Sequence, residues 1–403
     1  MRTFPPPFIK KLRFPTKDGI MELNGDQVTA KRRFLAAPEK VLFDPSNPEL
    51  FFLVGSKLSA IDKEQLLKLL DEQPETFLLG WSMTFRGCLP NLACHALNIG
   101  PEHKPIAQKC RKLALERATI VLEEVEHLLA SGTIREVQYP VWFSNTVVVK
   151  KKNGKWRVCI DFTDLNKACP KDPFLLPQID QLVDSVLGHA RLSFLDAFQG
   201  LSSNPNECGR LREDVFYHTK RVYCYKVMPF GLKNAGATYQ RMVSKMFGHL
   251  IGKTVEVYID DMLIKSLREE DHVANLLQVF DILGGSRLRL NASKCTFGVS
   301  SGKFLDHVVS RRGIEANPDQ IDALVDLAEP RNIKQIQRLT GMVAAFGRFI
   351  SRLADKCKPF FQLLGKKSKF VWDEECSAAF QGIKAYLLTP LCLSIPNLGE
   401  PLF

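Results

Sequence analysis

Two adjacent aspartates, Asp260 and Asp261, interrupt a segment that has the pattern of a strand hairpin. Apolar and polar residues alternate over residues 255–259, which is the period of a strand with one buried face, and a second apolar strand follows at residues 262–264. Two carboxylates between buried strands repel each other and resist the loss of water, so a bound cation would stabilise them. An Asp-Asp pair is also common in surface turns, and the pair alone leaves a metal site and an ordinary turn both open.

A third carboxylate, Asp196, ends another segment with strand character, residues 192–195. Hard divalent cations such as Mg²⁺ prefer oxygen ligands, and phosphoryl transfer by two such ions needs carboxylates that converge on both. The ends of strands in one sheet would hold the carboxylates rigidly. The three aspartates are therefore candidate ligands of a two-metal site, although the sequence permits their convergence without showing it.

The elements that must position these residues alternate irregularly along the chain. Residues 146–149 and 156–160 are rich in β-forming residues, and Asn153-Gly154 between them is a strong turn signal. Further strands are predicted at residues 192–195, 223–228, 255–259 and 262–265, and helices at residues 62–71, 112–130, 235–250, 272–283 and 319–327. Hairpins mixed with helices favour an α+β fold over a doubly wound parallel sheet.

Composition restricts the partners. The 403 residues can form about two or three compact units, and a net charge of +11 favours a polyanionic partner, either nucleic acid or an anionic membrane surface. No apolar run approaches the roughly 20 residues that cross a bilayer, and the N-terminus lacks the apolar core of a signal peptide. The eleven cysteines are dispersed without a Cys-x-x-Cys pair, which is typical of reduced thiols and gives no zinc motif. We therefore expect a cytoplasmic or nuclear protein with no membrane partner.

The C-terminal part is basic in one place. Ten Lys or Arg residues and a single acid, Asp355, lie between residues 331 and 369. Arg331, Lys334 and Arg338 are spaced so that they would share one helical face. Such a face is either an ordinary solvated helix surface or a surface that holds nucleic-acid phosphates, which requires cations and little else.

Three motifs resemble those of reverse transcriptases. Tyr258-Ile259-Asp260-Asp261 resembles the Tyr-x-Asp-Asp signature, residues 228–240 resemble the segment that opens a helix beside the nucleotide, and residues 155–162 resemble the fingers hairpin. The resemblance covers roughly residues 90–400 and is to the polyproteins of plant gypsy-type LTR retrotransposons. It implies an α+β right-hand polymerase with fingers, palm and thumb and a helical basic connection region.

The resemblance also implies a division of the chain. Residues 1–111 would be an irregular N-terminal region that follows a lost protease domain. Residues 112–310 would be the reverse transcriptase fingers and palm. Residues 311–403 would be the thumb and connection, ending where an RNase H domain would begin.

The roles that the resemblance implies fall into four groups. Catalysis and the binding of two Mg²⁺ ions, or of Mn²⁺ in their place, would belong to Asp196, Asp260 and Asp261. Nucleotide binding would involve Lys151, Lys152, Arg157, Leu201, Phe230, Gly231, Gln240 and Lys294. Primer binding would involve Phe304, Leu305 and Asp306, and the nucleic-acid backbone would lie on Arg331, Lys334 and Arg338. The partners would be an RNA or DNA template with a primer, together with dNTPs, and the oligomeric state is not indicated.

The chain departs from the family pattern at several positions. Leu201 stands where a Tyr or Phe usually blocks the ribose 2′-hydroxyl, so discrimination against ribonucleotides should be weaker by on the order of 1–3 kcal/mol. Glu213-Asp214 replace a lysine and a threonine, and Asp306 adds a Cβ and a negative charge where the family has glycine. The sequence therefore supports two functions: an active RNA-directed DNA polymerase, or a catalytically degenerate remnant that at most binds nucleic acid. An unrelated acidic metal site of a phosphodiesterase would leave the motifs at residues 155–162 and 228–240 unexplained.

Overall fold

The computed structural model describes residues 10–16, 19–25, 38–43, 51–74, 76–77, 97–100, 102–151, 154, 156–197, 215–218, 221–365, 370–389 and 392–394. Two predicted site residues, Lys152 and Leu201, lie outside the described residues, as do Glu213 and Asp214. None of the helices in the described part of the chain is long and apolar enough to span a membrane.

The described strands are β1 (Lys10–Thr16), β2 (Gly19–Gly25), β3 (Glu39–Leu42), β4 (Phe51–Val54), β5 (Ile134–Glu136), β6 (Thr146–Lys150), β7 (Trp156–Ile160), β8 (Arg191–Asp196), β9 (Val215–His218), β10 (Arg221–Tyr225), β11 (Val255–Tyr258), β12 (Asp261–Ser266), β13 (Thr296–Val299), β14 (Ser301–Phe304), β15 (His307–Ser310), β16 (Gly313–Ala316) and β17 (Cys392–Leu393). The described helices are α1 (Ala60–Asp71), α2 (Leu115–Ala130), α3 (Thr163–Ala168), α4 (Ile179–Asp184), α5 (Ala235–Phe247), α6 (His272–Ser286), α7 (Pro318–Val325), α8 (Ile333–Ala344), α9 (Leu353–Gly365) and α10 (Glu374–Leu387). A 3-10 turn covers Ala292–Lys294.

The chain divides into two compact units. The larger unit comprises the described parts of residues 38–182 and 191–299, and the smaller unit those of residues 1–37, 183–190 and 300–403. The larger unit is built on a six-stranded sheet with the order β11-β12-β8-β13-β4-β3, here called the central sheet. Its neighbouring strands are antiparallel except β13 and β4, which run parallel.

Helices α5 and α6 contribute apolar side chains to the same core as one face of the central sheet. On each helix the buried residues recur at the i, i+3, i+4 and i+7 spacing of an amphipathic helix. They are Tyr239, Met242, Val243 and Met246 on α5, and Leu276, Val279, Phe280 and Leu283 on α6. The alternate residues of β11 and β12, Val255, Val257, Met262 and Ile264, join them. Because side chains alternate across a strand, Asp261 belongs to the other face, and this places the carboxylates away from the helices.

Two smaller sheets complete the larger unit. Strands β5, β10 and β9 form one of them, and the hairpin β6-β7 forms the other. The pairing of β6 with β7 confirms the hairpin predicted from the sequence, with Lys150 opposite Trp156. Helix α2 buries Val121 and Val125 in a cluster that includes Phe216 of β9.

The predicted division at residues 111 and 112 does not coincide with the compact units. Strands β3 and β4 come from the region expected to be irregular, yet they extend the central sheet. Aromatic packing holds β4 in place: the ring centroids of Phe52 and Phe77 are 4.9 Å apart, and those of Phe52 and Phe297 are 5.9 Å apart. Strand β4 pairs with a segment more than 200 residues later in the chain, and no local pattern reports such a pairing. The C-terminal segment of the smaller unit begins at Ser300.

The smaller unit is not only helical. It contains the antiparallel sheet β14-β15-β16-β17 together with helices α7 to α10. Helix α8 begins after Asn332, whose side-chain oxygen accepts a 2.9 Å hydrogen bond from the Gln335 N–H. The helix buries Ile336, Leu339 and Val343 on its apolar face.

Candidate active site

The three predicted aspartates lie at one end of the central sheet. Asp196 is the last residue of β8 and Asp261 is the first residue of β12, and the two stand directly opposite each other across the antiparallel pair. Such opposite residues have Cβ atoms about 4.5–5.5 Å apart. Asp260 precedes Asp261 in the two-residue turn that joins β11 to β12. The sheet thus brings all three residues, which the sequence indicated as candidate metal ligands, to the same end.

Asp260 carries uncompensated negative charge. Its Oδ1 atom is buried and has no hydrogen-bond partner. Burial, together with the charges of Asp196 and Asp261, raises the pKa of Asp260 to about 6, while the charge of Lys294 opposes them. A carboxylate that is buried, repelled and left without a donor is stabilised by a cation, and its oxygens are the ligands that Mg²⁺ prefers. The chemistry of the donor set therefore fits a divalent metal ion.

The three carboxylates are not arranged around a common point in the described part of the chain. Among the residues that the structure describes, no three His, Cys, Asp or Glu side chains are arranged to hold a metal ion together. The Nζ atom of Lys294 lies 3.0 Å from Oδ1 and 3.3 Å from Oδ2 of Asp196. The ammonium group of Lys294 therefore forms an ion pair with the carboxylate of Asp196.

The turn before Asp260 has a strained backbone. Ile259 has a φ of +54°, in the left-handed region that β-branched residues rarely adopt. A residue held there costs on the order of 1–3 kcal/mol and persists only where the surroundings enforce it. The side chain of Ile259 lies close to Gly236 of α5, where an added Cβ would stand 3.3 Å from Cδ1 of Ile259, so glycine at residue 236 leaves room for this side chain.

Gln240, which the family resemblance assigned to nucleotide binding, holds the backbone of this turn. Its side chain is buried at 2% exposure. Its Oε1 accepts a 2.7 Å hydrogen bond from the Ile259 N–H, and its Nε2 donates a 3.1 Å hydrogen bond to the Val257 carbonyl. Because β11 is the edge strand of the central sheet, the amide of Gln240 takes the place of a neighbouring strand. The structure thus gives Gln240 the role of fixing the turn that carries Asp260.

The predicted triphosphate and nucleotide residues Arg157, Phe230 and Gly231 come together near β7. The guanidinium carbon of Arg157, which is exposed, lies 5.6 Å from the centroid of the Phe230 ring. Gly231 has a φ of +99°, a conformation that favours glycine. Lys151 is exposed in the loop after β6, where its carbonyl accepts a hydrogen bond from Gly154 N–H. This group is cationic and reachable from solvent, as contact with phosphates requires.

Asn166 organises the Gly231 turn, and its role was not predicted from the sequence. Its Nδ2 donates a 2.8 Å hydrogen bond to the Gly231 carbonyl, and its Oδ1 accepts a 2.7 Å hydrogen bond from Lys233 N–H. Asn166 and Gly231 are 65 positions apart in the sequence, so no local pattern indicates this contact.

A buried histidine beneath the sheet is a further residue that the sequence did not single out. His272 contacts Ser193 of β8 through Nε2 at 2.7 Å and Ser266 of β12 through Nδ1 at 2.8 Å. The Ser193 hydroxyl also accepts a hydrogen bond from Gly298 N–H, and the Ser266 hydroxyl accepts one from Nδ2 of Asn275, so both serines are held in place on the two sides of the ring. Burial lowers the pKa of His272 to about 3, which keeps the ring neutral. The neutral ring joins the two strands that carry Asp196 and Asp261.

The predicted primer residues lie in the smaller unit, at the β14-β15 hairpin. Phe304 is buried, so its ring belongs to the core, whereas Asp306 at the tip is exposed. Leu305 and Asp306 form the two-residue turn, with φ values of +47° and +65°. The left-handed conformation at residue 306 favours glycine, and aspartate tolerates it better than most other residues do. Leu305 is the strained member of the turn.

The predicted basic face is only partly helical. Lys334 and Arg338 lie one turn apart on the exposed surface of α8, but Arg331 precedes the capping residue Asn332 and is outside the helix. The expected sharing of one helical face therefore holds for two of the three residues.

Comparison with known proteins finds similarity to reverse transcriptases and to transposon polyproteins. Residues 149–309 match the family described as Reverse transcriptase (RNA-dependent DNA polymerase). The chain is 30% identical over 312 residues to the retrovirus-related Pol polyprotein from transposon 297 of Drosophila melanogaster, covering 76% of this chain and 29% of that protein. It is 29% identical over 272 residues to the transposon Tf2-3 polyprotein of Schizosaccharomyces pombe, covering 66% of this chain and 20% of that protein. The chain thus spans less than a third of the length of these relatives.

Solved structures with a similar fold include two of the foamy viral protease-reverse transcriptase. The complex with an RNA/DNA hybrid superposes with a TM-score of 0.74 at 18% identity, over 97% of this chain and 49% of that one. The form in complex with double-stranded DNA superposes with a TM-score of 0.76 at 18% identity, over 97% of this chain and 63% of that one. This likeness shows the fold.

Proposed function

We propose that this chain, which has the right-hand polymerase fold and a reverse transcriptase match over residues 149–309, is the RNA-directed DNA polymerase part of an LTR retrotransposon polyprotein of the plant gypsy type. It would add dNTPs to the 3′-hydroxyl of a primer on an RNA or DNA template. The observation that carries the proposal is the unpartnered, buried Oδ1 of Asp260 beside Asp196 and Asp261. This is an arrangement of carboxylates whose repulsion a pair of divalent cations relieves.

Asp196, Asp260 and Asp261 would hold two Mg²⁺ ions, or Mn²⁺ in their place. When bound, such ions activate the primer hydroxyl and neutralise charge on the triphosphate and the leaving pyrophosphate. The protein's own contribution is to place the carboxylates. Asp196 and Asp261 are fixed by strand pairing, and Asp260 by the Ile259 turn that Gln240 holds.

Nucleotide binding would use the cationic groups beside β7. Arg157 offers a guanidinium fork to phosphate oxygens, and the Phe230 ring supports it at 5.6 Å. Lys151 and Lys152 would add ammonium charges to the same phosphates. Leu201 would line the sugar pocket with a smaller side chain than an aromatic ring, which would weaken selection against ribonucleotides.

The nucleic-acid strands would contact the smaller unit. The exposed tip of the β14-β15 hairpin, Leu305 and Asp306, would meet the primer, with Phe304 anchoring the hairpin from the core. Arg331, Lys334 and Arg338 are all exposed and would neutralise backbone phosphates.

Primer extension on an RNA template with Mg²⁺ tests the function. We expect the wild type to extend the primer and Asp260→Asn to lose on the order of a hundredfold or more in rate, because the metal clamp supplies several kcal/mol at about 1.4 kcal/mol per tenfold. RNA binding by the two proteins should be equal. If the wild type forms no product while both proteins bind RNA equally, the chain is a degenerate remnant that binds nucleic acid without catalysis.

A further inference from the structure

The ion pair between Lys294 and Asp196 is placed by the backbone around it. The N–H of Asn291 donates a 2.9 Å hydrogen bond to the Asp196 carbonyl, and the N–H of Asp196 contacts Sγ of the buried Cys295 at 3.4 Å. Lys294 is the last residue of the 3-10 turn between these two contacts. The turn is therefore tied to the end of β8, and the side chain of Lys294 starts within reach of the carboxylates.

The ammonium group of Lys294 forms its ion pair at the solvent-exposed surface. Its side chain is 61% exposed, and that of Asp196 is 33% exposed. Exposed ion pairs contribute little because water screens them and the long side chain loses freedom. Asp260, by contrast, is mostly buried and is repelled by both neighbouring aspartates. The exposed ammonium group of Lys294 thus pairs with one carboxylate of a cluster in which the buried Oδ1 of Asp260 has no hydrogen-bond partner, and a more highly charged cation would stabilise these oxygens better.

We propose that Lys294 is a placeholder cation, which neutralises Asp196 in the metal-free protein and leaves its carboxylate when a divalent metal ion binds. The proposal rests on the proposed metal-binding function of the three aspartates. The positive charges of Lys294 and of a metal ion repel each other at the same carboxylate, so the two compete for Asp196. Because the turn keeps the Lys294 backbone beside β8, the released ammonium group stays near the site and becomes free to contact an anion such as a triphosphate.

Mn²⁺ affinity of the full chain, measured by the loss of the free-ion electron paramagnetic resonance signal, tests the competition without any activity measurement. The variants are Lys294→Gln, Lys294→Arg and Asp260→Asn. The matched control is Lys167→Gln, since Lys167 pairs with Asp164 at the same 3.0 Å and with similar exposures of 71% and 27%.

We expect Lys294→Gln to bind Mn²⁺ about two- to fivefold more tightly than the wild type, the range that an exposed ion pair carries. Lys294→Arg keeps the charge and should stay close to the wild type, and Lys167→Gln should not change the affinity. If Lys294→Gln and the wild type bound Mn²⁺ with equal affinity, the proposal that Lys294 is a placeholder cation would be overturned. That outcome differs from a failure of the proposed function, in which the wild type would bind Mn²⁺ no better than Asp260→Asn.

Thermal unfolding gives a second, independent readout. Without metal, Lys294→Gln leaves Asp196 without the ammonium group that pairs with it, so the unfolding temperature of the variant should fall below that of the wild type. Mg²⁺ should then raise the unfolding temperature more in Lys294→Gln than in the wild type, because the metal replaces a missing cation rather than displacing one. A Mg²⁺-induced rise of the same size in both proteins would contradict the proposal.

Discussion

Replacing Gln240 with methionine removes both hydrogen bonds that fix the turn before Asp260, while it keeps the length of the side chain. The Ile259 N–H and the Val257 carbonyl would lose partners at 2.7 and 3.1 Å. Because residue 240 is buried, an apolar side chain there would leave both the Ile259 N–H and the Val257 carbonyl without a hydrogen-bond partner from residue 240. A buried polar group left without a partner costs about 1–3 kcal/mol, so the pair predicts a loss of about 2–5 kcal/mol in the free energy of unfolding.

The strain at Ile259 adds a functional consequence. The φ of +54° at Ile259 is held against a preference for extended backbone. Without the amide of Gln240, the turn can relax and carry Asp260 away from the end of β8. We therefore expect Gln240→Met to weaken Mn²⁺ binding and to lower the rate of primer extension with little change in RNA binding.

Urea unfolding and Mn²⁺ titration of the same protein preparations measure both effects. Thr238→Val on the same helix is the control, because the Asn234 carbonyl that its hydroxyl contacts also accepts the Thr238 N–H. That variant should lose less than about 1 kcal/mol and keep its Mn²⁺ affinity. If Gln240→Met lost no more stability than Thr238→Val and bound Mn²⁺ as the wild type does, the amide would not be what holds the turn.

Two further predictions concern stability. The pKa of His272 in the folded protein, about 3, is below its unfolded value of 6.5, so its contribution is fully present above pH 6.5 and is lost at about 1.4 kcal/mol per pH unit as the pH falls towards 3. Asp260, with its pKa raised to about 6, favours the folded state as the pH falls from 6 to 3.8 and so opposes this trend. The measurement is therefore the free energy of unfolding in urea for the wild type and for His272→Gln, with chelator present, and the difference between them at each pH. A difference that does not change with pH would refute the predicted contribution of His272. At the hairpin tip, Leu305→Gly should raise the free energy of unfolding by about 0.5–1 kcal/mol because it removes the left-handed strain. Ser301→Gly in the extended strand of the same hairpin should lower it by a similar amount, and a loss in both variants would contradict the strain at Leu305.

The sequence predicted what local patterns encode. Alternation over residues 255–264 predicted the hairpin around Asp260 and Asp261, and the structure confirms it as β11 and β12. Strand character before Asp196 predicted β8. The same alternation could have indicated that Phe304 points into the core, since it lies at the end of a strand with an exposed neighbour at Lys303.

Contacts between distant segments were beyond such patterns. The parallel pairing of β4 with β13 brings residues expected to be irregular into the central sheet. Gln240 carries a motif resemblance that pointed to the nucleotide, yet its amide is turned to the edge of β11. The contact of Lys294 with Asp196 joins residues 98 positions apart. In each case the deciding interaction is one polar or aromatic contact whose partner is set by the fold and not by sequence spacing.

Two kinds of interaction stabilise the carboxylate cluster around Asp260, one that holds its backbone and one that comes from a charged side chain. Strand pairing and the amide of Gln240 hold the backbone of the cluster, including the strained Ile259, in the absence of metal. Lys294 supplies the charge that the cluster lacks, through an exposed and flexible side chain. If metal binding displaces only that ammonium group, most of the ordering has been completed during folding, and the change on binding is confined to side chains. Positioning and electrostatic stabilisation together make up almost all of a protein's contribution to phosphoryl transfer by bound metals, and under the proposed function the positioning in this chain would depend on Gln240 as well as on the aspartates.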